Sequence, residues 1–78
     1  ENAITKMVNH IIKNDELGAI QDLRIMKENG TVSKISFEIP CSVEFMQKDE
    51  IQIELNQQIA KTYPHCKIDI KFINQISR

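Results

Sequence analysis

Val32-Ser33-Lys34-Ile35-Ser36-Phe37-Glu38-Ile39-Pro40 and Lys67-Ile68-Asp69-Ile70-Lys71-Phe72, with the segment from Met46 to Tyr63 between them, decide the fold. In the first run Ile35, Phe37 and Ile39 alternate with Lys34, Ser36 and Glu38, the period of two of a half-buried strand. Pro40 has no N–H to give a ladder, so the strand is expected to end there. From Met46 the period lengthens. Ile51, Leu55, Ile59 and Tyr63 recur every four residues and share one helical face, with Ala60 beside them. Pro64 closes that helix. The last run alternates again, with Ile68, Ile70 and Phe72 inward. Strand, crossover helix and strand in one sheet almost always form a right-handed unit with parallel strands.

Toward the N-terminus, Ala3, Ile4, Met7, Val8, Ile11 and Ile12 fall on one helical face, which predicts a first helix from about Asn2 to Lys13. Asn14-Asp15 and Gly18 are loop formers, and Ala19 to Met26 suits a short edge strand. Asn29-Gly30 is the strongest short hairpin signal. Two registers are open at that turn. A two-residue loop pairs Glu28 with Thr31 and turns Leu23 and Ile25 away from Ile35 and Phe37, leaving a sheet that is apolar on both faces. A three-residue loop pairs Leu23 with Ile35 and keeps one face polar. Either way the order is helix, strand, strand, helix, strand. The expected fold class is α+β, an open-faced sandwich with a three-stranded mixed sheet and two helices on one face, resembling a ferredoxin-like fold without its first strand.

Seventy-eight residues make one small domain, and a domain of this size buries only roughly 60% of its unfolded surface, so association with a partner is a natural supplement to its stability. Ten basic and eleven acidic residues leave a formal charge of −1, which argues against a nucleic-acid footprint. No apolar run approaches a membrane span and no secretory signal pattern is present. The chain begins with Glu1 rather than methionine, so residues 1–78 are expected to be a piece cut from a longer protein. Cys41 and Cys66 match neither a disulfide framework nor a zinc ribbon, and a reduced, cytosolic setting is expected.

Ile20-Gln21-Asp22-Leu23-Arg24, a strand ending Phe37-Glu38-Ile39, the helix stripe Ile51, Leu55, Ile59 and Tyr63-Pro64, and the closing Lys67-Ile68-Asp69-Ile70-Lys71 together resemble the C-terminal cytosolic domain of cation diffusion facilitator transporters. The most specific piece is Asp22-Leu23-Arg24, which matches the family's His-Asp-Leu-Arg element except at its first position. The resemblance implies a regulatory domain of a divalent-cation (zinc-type) efflux transporter, at the cytoplasmic face of a membrane, whose partners are a second copy of itself and the membrane-spanning domain of the same chain. In that family, zinc often binds between two protomers and draws them together. Gln21, Leu23, Ile25, Ser36 and Lys71 are the dimer-interface candidates on this reading.

The family's metal ligands do not carry over. Gln21 stands for the histidine before Asp-Leu-Arg, Ser36 for the second-strand histidine, Asp49 for the helix ligand, Lys71 for the last-strand histidine and Ile73 for the carboxylate after it. Of these only Asp49 suits zinc, and a lysine ammonium repels the ion. The usual interfacial site is therefore expected to be missing, with no cofactor held. His65-Cys66 is the one soft-ligand pair, so Asp49, His65 and Cys66 are the metal candidates; their ordinary reading is a solvated helix start, a loop histidine and a small half-buried thiol. Cys41 and Cys66 are expected at opposite ends of parallel strands, too far apart for a disulfide. Asp22 and Arg24, two residues apart on one strand, read as an ion pair. No nucleophile with a base and no phosphate loop accompanies them, so no enzyme signature is present. The competing reading is a freestanding ferredoxin-like module that binds a small ligand or another protein.

Overall fold

A computed structural model describes residues 3–12 and 16–76. Its elements run α1 (Ala3–Ile11), β1 (Gln21–Glu28), β2 (Thr31–Ser42), α2 (Lys48–Thr62) and β3 (Lys67–Ile76). The helix ends expected at Asn2 and Lys13, and the loop formers Asn14-Asp15, lie outside the described residues. The sheet order is β1-β2-β3, with β1 antiparallel and β3 parallel to β2. The fold is the expected α+β sandwich, with both helices on one face of a mixed sheet.

The core follows from the two periods. Ile35, Phe37 and Ile39 of β2 and Ile70 of β3 meet Ile4 and Val8 of α1 and Leu55 and Ile59 of α2, all buried, with Ile11, Ile51, Tyr63, Ile68 and Phe72 half-buried against them. Ala60, placed beside the helix stripe by its spacing, is exposed. Tyr63 ends α2 at φ −127°, ψ 74°, outside the α region that a following proline disfavours.

Pro40 does not end β2. The strand continues through Ser42 and pairs with β3 at Pro40↔Ile73 and Cys41↔Asn74. The Pro40 carbonyl accepts from Gly18 N–H at 2.8 Å, so its ring nitrogen lies on the β1 side, where a missing donor costs β3 nothing. The cost falls on the other edge. There the chain makes only the isolated bridge Leu17↔Cys41, with Ser42 N–H donating to Glu16 O at 2.9 Å, and regular β1 pairing starts at Gln21 rather than Ala19. Because β2 runs on, Leu17, Cys41 and Phe45 join the core beyond the expected strand, and Phe45 stacks on Phe72 with centroids 6.4 Å apart.

The hairpin takes neither of the two registers open in the sequence. Glu28 pairs with Thr31 across a two-residue turn, with Asn29 at φ 53° and Gly30 at φ 80°, as a type I′ turn requires. Then Lys27 pairs with Val32 while Met26 pairs with Lys34, so Ser33 is an extra residue in β2. Its hydroxyl donates to Met26 O at 3.2 Å across the ladder. This bulge brings Ile25 opposite Ile35, on the core side, and Leu23 packs against the core. The expectation that a two-residue turn sends Leu23 and Ile25 to the outer face is thereby corrected: the bulge restores the pleat, and the outer face is polar along Ser36 and Glu38, with Met26 opposite Lys34 and Ile73 opposite Pro40 as apolar members at its ends.

The molecule measures 44 × 20 × 17 Å. β3 first pairs at Lys34↔Lys67, so the hairpin beyond that row is a two-stranded arm, and every residue from 24 to 31 is exposed.

Candidate functional site

The outer face of the sheet, away from both helices, consists of the residues that alternate with the core. Ser36 lies between Arg24 of β1 and Asp69 of β3, and Glu38 between Gln21 of β1 and Lys71 of β3. Asp22, Arg24, Ser36, Phe37, Glu38, Asp69 and Lys71 line a shallow concavity of ≈ 240 Å³. Ser36 and Glu38 are half-buried at its floor, while Asp22, Arg24, Asp69 and Lys71 stand exposed at its sides.

A second bulge shapes this surface. β1 sets two residues, Asp22 and Leu23, against Phe37, and Asp22 takes φ 56°, a left-handed conformation that aspartate tolerates better than a β-branched residue. Arg24 Nε donates to Asp22 Oδ1 at 3.3 Å, the ion pair expected from the sequence. The two side chains are 72% and 47% exposed, so the pair contributes about 1 kcal/mol at most and serves to place charge.

Of the five dimer-interface candidates the sheet separates two. Gln21, Ser36 and Lys71 share the outer face, while Leu23 is half-buried on the core side and Ile25, 37% exposed, lies opposite buried Ile35. Glu38 and Asp69 belong to the outer face and were not singled out, although their parity with Ser36 and Lys71 in alternating strands carries that information.

The metal candidates do not come together. Asp49 lies exposed in the first turn of α2, and His65 and Cys66 follow its far end. A helix of 15 residues places them roughly 20 Å apart. Among the described residues no group of three histidine, cysteine or carboxylate side chains is placed to hold an ion. Burial pushes the Cys66 thiol up from its ordinary value, partly offset by a backbone hydrogen bond at Ile35. That disfavours the thiolate that would bind metal or attack a substrate. Both cysteines are free. Cys41 pairs with Asn74 near one end of β3 and Cys66 precedes Lys67 at the other, on the order of 20 Å away as the parallel order predicts.

No helix among the described residues is long and apolar enough to cross a membrane. Comparison with protein families, with curated proteins and with solved structures finds no match to this chain.

Proposed function

We propose that this chain is the cytosolic dimerisation and regulatory domain of a divalent-cation efflux transporter, working without the interfacial metal site of the family it resembles. One observation carries the reading. Gln21, Ser36 and Lys71 are distant in sequence and stand for three of that family's ligand positions, yet they sit in adjacent rows of one exposed sheet face. A shared interface between two copies needs such convergence. Their amide, hydroxyl and ammonium groups do not suit zinc, so closure of the two copies rests on protein contacts alone.

The competing reading, a freestanding ligand-binding module, is less well supported: the ≈ 240 Å³ concavity is below the roughly 300–1,000 Å³ of pockets that bury a small molecule. The coding sequence upstream of Glu1 tests the parent. Several apolar spans there support a transporter, and a fused catalytic domain overturns it. Sedimentation equilibrium with zinc and with a chelator tests the missing site, and the dimer constant is expected to be the same in both. A change of more than tenfold, about 1.4 kcal/mol, would mean that the domain binds metal after all.

A further inference from the structure

Asn29-Gly30 forms the tip of the arm, and three features that favour a backbone reaction meet there. Both residues are exposed. The Gly30 N–H has no hydrogen-bond partner among the described residues, because in this turn the ladder resumes at Glu28 and Thr31 on either side. No atom lies within 4 Å of the place where a side chain on Gly30 would begin, so the approach to its nitrogen is uncrowded. The other described asparagines differ. Asn9 lies in α1, with Oδ1 accepting from Ile20 N–H at 3.0 Å, while Asn56 lies in α2 and Asn74 in β3. Their following residues, His10, Gln57 and Gln75, all carry side chains. Asn2 and Asn14, outside the described residues, precede Ala3 and Asp15.

We propose that Asn29 is a site of spontaneous deamidation, that opening of the arm sets its rate, and that the product unfastens the arm for good. The Gly30 backbone nitrogen gives up its proton and attacks Asn29 Cγ. The Cγ–Nδ2 bond breaks and ammonia leaves, which closes a five-membered succinimide ring. Water then opens the ring at one of its two carbonyls. Breaking the new Cγ–N bond leaves an aspartate, whereas breaking the original bond between the main-chain carbonyl carbon and Gly30 N leaves an isoaspartyl linkage, in which the main chain runs through Cγ. The balance is amide plus water to carboxylate plus ammonium, so no reagent beyond water is needed. The closed turn resists the first step. Asn29 is held left-handed at φ 53° beside the pair Glu28↔Thr31, and ring closure needs the peptide plane between Asn29 and Gly30 to turn over, which breaks the turn. The rate in the folded chain is therefore that of the open chain multiplied by the fraction of time the arm is open. The isoaspartyl product differs in more than charge. It lengthens the main chain by one methylene inside a two-residue loop, so Glu28 and Thr31 no longer close the ladder. Because no side chain from Arg24 to Thr31 is buried, the core survives the change.

The test incubates the folded chain at neutral pH and body temperature beside a peptide of residues 24–34, and locates the products by fragment mass spectrometry. Conversion is expected at Asn29 before any other asparagine. It is expected to be slower in the folded chain than in the peptide, by the same factor by which folding slows exchange of the Thr31 amide. The isoaspartyl product, separated by ion exchange, is expected to lose hydrogen-exchange protection at Met26, Glu28 and Thr31 and to keep it from Ile35 to Ile39. Asn29→Asp adds the charge without the extra methylene, and aspartate accepts the left-handed turn. That variant is expected to keep the arm's protection. Another asparagine reacting first, a folded-chain rate that does not follow opening of the arm, or a product whose arm is protected as before overturns the inference. Loss of protection in Asn29→Asp as well would assign the effect to charge and overturn the role of the added methylene. The homodimer reading stands or falls apart from all of these outcomes.

Discussion

At single residues the structure separates groups that hold the fold from groups that decorate it. Phe37 and Leu55 are 2% and 0% exposed and sit where the middle strand meets the second helix. Replacing either by alanine removes buried apolar volume that close-packed neighbours cannot refill, and each is expected to lower unfolding free energy by about 2–5 kcal/mol in urea titrations. Cys66 gives a pH signature. Its folded-state thiol is raised by burial, so the folded chain keeps that proton to higher pH than the unfolded chain does. The stability this represents is complete below the unfolded thiol's pKa and is lost as pH rises through the folded value. Stability of the chain relative to Cys66→Ser is therefore expected to fall from pH 7 to pH 10, read from urea midpoints. Iodoacetamide is expected to modify Cys66 more slowly in the folded chain than in the denatured one.

At the level of elements, much was legible because each stretch has one clear period. The alternation of Ile35, Phe37 and Ile39, the four-residue spacing of Leu55 and Ile59, and the stop at Pro64 read directly as strand, helix and helix end. Pro40 misled because a sequence does not show which edge of a strand an amide faces: on the β3 side it would have ended the ladder, and on the β1 side it only detaches Ala19 and Ile20. The hairpin turn was legible in Asn29-Gly30, but the bulge at Ser33 was not, since serine is an ordinary strand residue and its bond to Met26 O exists only once the strands are paired. The left-handed Asp22 was hidden for the same reason. On the candidate face, Gln21, Ser36 and Lys71 followed from matched positions and Glu38 and Asp69 shared their parity in the same strands, but which of these side chains stands beside which needed the cross-strand register.

For the molecule as a whole, the 44 Å length and the arm beyond Lys34↔Lys67 predict uneven opening. The arm has ladder bonds on two strands only, no helix over it and no buried side chain from Arg24 to Thr31. Native-state hydrogen exchange is expected to show Met26, Glu28 and Thr31 amides exchanging through local opening, while Ile35 to Ile39 exchange only with global unfolding. Equal protection of both regions would mean that the arm is covered by something the single chain does not supply. The Ser33 bulge also makes the hairpin unequal in the lesions it can absorb. Ser33 has no partner of its own in β1, so loss of its codon leaves Lys27↔Val32, Met26↔Lys34 and Ile25↔Ile35 as consecutive pairs, with every side chain on its own face. Loss of Lys27 instead leaves two residues of β2 unmatched and pulls Met26 one step out of its pairing. In a deletion scan across residues 26–33 read by thermal midpoints, removal of Ser33 is therefore expected to be better tolerated than removal of Lys27, although each takes away a single residue.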